Sequence, residues 1–90
     1  MPEARVTIIN PLGLHARPAA QLVNLVRGFS SSVEVRQPES GRAVDGRSIL
    51  SLLTLAASRG CSLEICAEGD DAAEVLAAVE NLFKNGFGEM

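Results

Sequence analysis

Apolar residues along this chain switch repeatedly between a spacing of two and a spacing of three and four, and that alternation narrows the possible folds more than any other feature. Between Pro18 and Phe29, the residues Ala19, Leu22, Val23, Val26 and Phe29 recur at helical steps, which is the stripe of a helix packed on one side. Over Ser32 to Gln37, Val33 and Val35 face one way and Glu34 and Arg36 the other, as in a half-buried antiparallel strand. Leu63, Ile65 and Ala67 alternate in the same manner with Ser62, Glu64, Cys66 and Glu68. After Gly69-Asp70-Asp71 comes a last helix, with Ala72, Val75, Leu76, Val79, Leu82 and Phe83 on one face, Asp70 or Asp71 at its start, and Lys84 and Gly86 at its end.

Turn chemistry divides the rest. The β-branched run Arg5 to Ile9 stops at Asn10-Pro11 and reads as a strand, followed by a loop from Asn10 to Leu14. Pro38-Glu39-Ser40-Gly41 is a turn, and Arg42 to Asp45 pairs back as a hairpin strand. Ser48 is of a type that caps helix starts, and the apolar segment Ile49 to Ala57 behind it is expected to form a second helix ending near Arg59-Gly60. The order β-α-β-β-α-β-α belongs to the α+β class, a four-stranded antiparallel sheet covered on one face by three helices. Residues 1–90 are expected to form one domain, without internal repeats, linkers or low-complexity segments.

Several functions are disfavoured by composition. The net charge is −3, Trp and Tyr are absent and there are three Phe, so neither a basic footprint nor a stacking platform for nucleic acid is present. No apolar run approaches a membrane span, and Met1-Pro2-Glu3-Ala4-Arg5 leads into a strand rather than a signal-peptide core, so a cytoplasmic protein is expected; a monomer is expected as well. Cys61 and Cys66 are five apart and would lie on opposite faces of a single strand, which argues against a local disulfide. With no CxxC and a single histidine, neither a metal site nor a cofactor is expected.

That histidine, His15, is the candidate for chemistry. Proline is tolerated in the first turn of a helix because the N–H it lacks would be unpaired there, so Pro18 sets a helix start close to Ala16 to Pro18 and puts His15 at the N-terminus. Unpaired amides and the positive end of the helix dipole disfavour an imidazolium and welcome an anion. A neutral imidazole is nucleophilic, a phosphate at such an end meets backbone donors at Ala16 and Arg17, and the Arg17 guanidinium can pair with phosphoryl oxygens. Reversible phosphorylation of the ring nitrogen is the reaction these groups suit. A lone histidine at a helix start is often only a polar cap, and an arginine beside it a solvated charge; the ordered set Gly13, His15, Arg17, Pro18 weighs against that plain account.

The stretch Gly13-Leu14-His15-Ala16-Arg17-Pro18-Ala19 resembles the signature G-[IL]-H-A-R-P-A of the HPr family of phosphocarrier proteins, and similar residues recur at Gly28-Phe29, Ser48-Ile49 and Ala67-Glu68-Gly69. The resemblance implies the family's open-faced β-sandwich. It also implies that His15 accepts a phosphoryl group on its δ nitrogen from phospho-Enzyme I, charged by phosphoenolpyruvate, and passes it to an Enzyme IIA domain while Arg17 steadies the phosphate. In many members the serine aligned with Ser48 is phosphorylated by an HPr kinase/phosphorylase, which dampens transfer at the histidine. Leu14, Ala20, Ile49, Leu50 and Leu53 align with positions that dock Enzyme I and Enzyme IIA, although several of them also suit a core. Leu12, a Pro38 to Gly46 region roughly two residues longer than in sugar-transport members, and the ending Leu82 to Phe87 look more like NPr, the nitrogen-branch relative. Two other readings stay open: a non-transferring regulatory module that binds partners around Ile49 and Leu50, and, on element order alone, a ferredoxin-like small-ligand domain. On the carrier reading the protein is a covalently modified component of a phosphotransferase system, not an independent enzyme.

Overall fold

The computed structural model describes residues 2–89. Its elements are β1 (Glu3–Thr7), α1 (Ala16–Arg27), β2 (Ser32–Gln37), β3 (Arg42–Asp45), α2 (Ile49–Leu53), β4 (Ser62–Glu68) and α3 (Ala72–Lys84), followed by a single 3-10 turn, Gly86–Gly88. The strands form one antiparallel sheet in the order β1-β4-β2-β3. Alternation decides its faces: Val6, Val33, Val35, Leu63, Ile65 and Ala67 point into one hydrophobic core with Leu22, Val23 and Val26 of α1, Leu52 of α2, and Val75, Val79 and Phe83 of α3. Full burial of such side chains contributes about 1.5–3 kcal/mol each, so this single layer of contacts carries most of the favourable free energy.

The bounds expected for β2, β3 and β4 match, as does the helical stripe of α1. β1 lies two residues earlier than the β-branched run suggested. Its limits are set by its partner, with Glu3 opposite Cys66 and Thr7 opposite Ser62. Past that point Ile8 still donates its N–H to Cys61 O at 2.9 Å, and Gly60 donates to Ile8 O at 2.7 Å, outside the regular ladder.

α2 is shorter than expected, stopping at Leu53 rather than near Arg59. Arg42 donates to the Thr54 carbonyl at 2.7 Å, and Gln37 Nε2 donates to the Leu55 carbonyl at 3.1 Å. Those are acceptors that a longer helix would need, and Ala56 leaves helical geometry at φ 49°. The released segment 54–58 becomes the shelf on which the His15 loop rests.

Asp71 precedes α3 but does not cap it. Its carboxylate accepts instead from the backbone N–H groups of Ser30 (2.8 Å) and Ser31 (2.9 Å), joining the start of α3 to the turn between α1 and β2. Those bonds, with the Ser31 hydroxyl foremost, hold its pKa down at about 2. Cys61 and Cys66 are both free and buried. The Cys66 thiol lies 3.5 Å from Glu3 Oε2, and burial, then that carboxylate, push its pKa up. Among the described residues no helix is long and apolar enough to cross a membrane.

Candidate functional site

The loop before α1 is fixed from two sides. Gly13 donates its N–H to Asn10 O at 3.1 Å, closing a turn, and Leu14 donates to Ala57 O at 2.9 Å. Gly13 has φ +71°, and a Cβ there would lie 2.5 Å from the Ala57 carbonyl oxygen, so only glycine allows this approach. Leu14 then turns its side chain into the core and His15 is left as the N-cap of α1, extended at φ −85°, ψ −171°. The His15 carbonyl accepts the first intrahelical bond, from Ala19 at 3.0 Å. Pro18 contributes no N–H, so the donors left at this end of the helix are those of Ala16 and Arg17.

The imidazole is 36 % exposed at the side chain, and its Nε2 lies 3.0 Å from Glu89 Oε2 and 3.2 Å from Glu89 Oε1. Asn10 Nδ2 donates to the same carboxylate at 2.9 Å and to the Gly13 carbonyl at 2.8 Å. The Asn10 bond first, and then His15 and the Arg17 charge, lower the Glu89 pKa. Neither Asn10 nor Glu89 was among the residues expected from sequence. Nothing in the local pattern links position 89 to position 15; only the left-handed turn after α3, with Phe87 at φ 56° between glycines of positive φ, brings the carboxylate back across the helix end. Beside the helix dipole, the free amides and Arg17, all expected from the sequence, the ring thus meets an additional anion.

Two shallow grooves meet at Leu12, and His15 lines one of them. One, about 400 Å³, is lined by Pro11, Leu12, Arg17, Gln21, Phe87 and Glu89, so the Arg17 guanidinium and the Glu89 carboxylate share it. The other, about 300 Å³, runs past Leu12, Leu14, His15, Leu53 and the 56–58 segment. Of the expected docking residues, Leu50 is 77 % exposed and Ile49 37 %, whereas Ala20 and Leu53 are half-buried. Leu14 is a correction: at 3 % exposure it belongs to the core, and the large apolar side chain offered to solvent beside His15 is Leu12, at 76 %. Ser48 caps α2, its hydroxyl accepting the Ser51 N–H at 3.2 Å, and lines neither groove.

Residues 2–85 match the family model described as "PTS HPr component phosphorylation site". The chain belongs to the HPr family. It is similar to curated phosphocarrier proteins over nearly its whole length: 44% identical to phosphocarrier protein HPr of Pseudomonas aeruginosa, covering 99% of this chain and 98% of that protein. It is 43% identical to phosphocarrier protein NPr of Escherichia coli K12, covering 93% and 92%. Among solved structures, HPr-C-His from Thermoanaerobacter tengcongensis superposes with a TM-score of 0.93 at 38% identity, covering 100% of this chain and 99% of that one. The open-faced β-sandwich implied by the resemblance, with which the element order agrees, is therefore the fold, and the ferredoxin-like alternative is set aside.

Proposed function

We propose that this HPr-family chain is a single-domain cytoplasmic phosphocarrier that accepts a phosphoryl group on His15 from phospho-Enzyme I and passes it to an Enzyme IIA domain. The observation that carries the reading is the position of the half-exposed His15 ring at the N-cap of α1, beside the free N–H groups of Ala16 and Arg17 and the Arg17 side chain. In the transfer, the lone pair of a ring nitrogen forms the bond to phosphorus while the donor–phosphorus bond breaks and leaves its electrons on the donor. Helix-end amides and the guanidinium are the groups that offset the charge of the phosphoryl oxygens in this reading. The rest of each active site comes from the partner, which docks on the apolar residues Leu12, Ile49 and Leu50 beside the helix starts.

Identities of 44% to an HPr and 43% to an NPr do not separate the sugar and nitrogen branches, so the nitrogen-branch reading rests on Leu12, the longer Pro38 to Gly46 region and the ending Leu82 to Phe87. Ser48 is proposed as a regulatory phosphorylation site on the strength of the family pattern; a phosphate there would replace the hydroxyl that now caps α2.

Incubation with Enzyme I and phosphoenolpyruvate is expected to give an acid-labile adduct of one phosphoryl mass, absent from His15→Ala. An adduct that persists in that variant places the acceptor elsewhere. Presenting the phosphorylated protein to sugar-branch and nitrogen-branch Enzyme IIA domains side by side assigns the branch.

A further inference from the structure

The contacts of Glu89 bear on which nitrogen of His15 reacts. A carboxylate is an acceptor only, so a hydrogen bond at 3.0 Å between His15 Nε2 and Glu89 Oε2 requires the proton to be on Nε2. In the neutral ring that leaves the lone pair on Nδ1. The carboxylate is itself held in place. Asn10 is fully buried, and both neighbours of its amide group, Glu89 Oε1 and the Gly13 carbonyl, are acceptors, so its Nδ2 must face them. That arrangement leaves the buried Asn10 Oδ1 without a partner among the described residues, a cost consistent with the amide being oriented for the carboxylate rather than for its own satisfaction. Behind Glu89, Phe87 is buried against Phe83, with ring centroids 4.8 Å apart, and the Phe87 carbonyl accepts from Gln21 Nε2 at 3.2 Å. The strap is anchored at its core end and at its tip.

We propose that Glu89, oriented by Asn10, is a positioning residue that keeps the proton of His15 on Nε2 and thereby presents Nδ1 as the nucleophile. The inference rests on the phosphocarrier reading of His15 and adds to it a source for the choice of nitrogen. During transfer, Nδ1 bonds to phosphorus, the donor keeps the electrons of the broken bond, and no proton has to move. The ring gains a positive charge opposite the Glu89 carboxylate. When an acceptor takes the phosphoryl group, the Nδ1–P electrons return to the ring, which departs as the same neutral Nε2–H imidazole. Contacts of this kind, in which a carboxylate fixes the tautomer and orientation of a reacting imidazole, change activity by about 10- to 100-fold where they have been removed around metal-bound histidines.

Glu89→Gln is the sharpest test because Asn10 Nδ2 still demands an oxygen. The introduced carboxamide satisfies it with its oxygen and turns its NH2 towards His15, where it donates to a bare Nε2 and drives the proton to Nδ1. Nitrogen-15 NMR of the imidazole in the unphosphorylated protein is expected to show the Nε2–H form in the parent, a relaxation toward the ratio of a free imidazole in Glu89→Ala, and an excess of Nδ1–H in Glu89→Gln. Phosphoryl acceptance from Enzyme I and phosphoenolpyruvate should fall by about tenfold in Glu89→Ala and further in Glu89→Gln. An unchanged tautomer ratio in both variants, or a shifted thermal midpoint with the ratio unmoved, overturns the proposal and leaves Glu89 a structural contact. If the parent protein accepts no phosphoryl group at His15, the carrier reading fails, and the tautomer comparison still decides the role of Glu89.

Discussion

The backbone N–H of Leu14 donates to the carbonyl of Ala57 at 2.9 Å, so the loop that carries His15 is seated on the segment that follows α2. This bond is possible because Gly13 brings the two backbones together at φ +71°. Replacement of Gly13 by alanine puts a Cβ 2.5 Å from the Ala57 oxygen and imposes left-handed strain on a residue that resists it. A loss of about 3 kcal/mol in urea unfolding is expected, together with slower phosphoryl acceptance as His15 moves. Unaltered stability in Gly13→Ala would show that the shelf can retreat.

Arg17 is exposed, and among the described residues it has no ion-pair partner. Arg17→Ala is therefore expected to change stability by less than ~0.5 kcal/mol while slowing phosphotransfer through His15 by about 100- to 1,000-fold, the range for loss of one preorganised donor at a developing anion. Single-turnover transfer rates from Enzyme I measure it, and equal rates would remove Arg17 from the phosphate site.

Acid should weaken the joint between α3 and the turn after α1. The folded Asp71 pKa of about 2 lies below the ordinary value of about 4, so its contribution is complete above pH ~4 and is lost as the pH falls towards 2. Asp71→Asn removes that dependence. A series of urea unfolding curves between pH 5 and pH 2 should show a shallower fall for the variant than for the parent; parallel curves would mean that Asp71 keeps the same pKa when unfolded.

Leu50 offers most of its side chain to solvent beside the half-covered Ile49. Leu50→Asp removes no core contact, so unfolding should change by less than ~0.5 kcal/mol. If this face docks a partner, KM for phosphoryl exchange with Enzyme I or Enzyme IIA rises about tenfold at unchanged stability. A KM that does not move for either partner shifts the docking surface towards Leu12.

Much of this arrangement can be read in the sequence because it is local. Val33, Val35, Leu63 and Ile65 declare their strands by alternation, and Pro18 marks the start of α1 before any tertiary contact is known. What escapes is decided at a distance. α2 ends where Arg42 and Gln37 claim the carbonyls of Thr54 and Leu55, 12 and 18 residues away. Asp71 looks like a cap for its own helix and serves Ser30 and Ser31 instead. Leu14 and Leu12 are equally apolar, and only the turn at Gly13 sends one inward and the other out. Glu89 reaches His15 across 74 positions of chain, a relation with no periodicity to reveal it.

The strand order has a consequence for synthesis. β1 pairs with β4 alone, so the first strand to leave a ribosome has no neighbour until Ser62–Glu68 have been made. The His15 loop waits still longer, since its seat at Ala57 is made before β4 but its brace at Glu89 only after it. A nascent chain thus exposes its histidine before the loop around it is complete, and the contact with Glu89 forms only with the final turn of the fold.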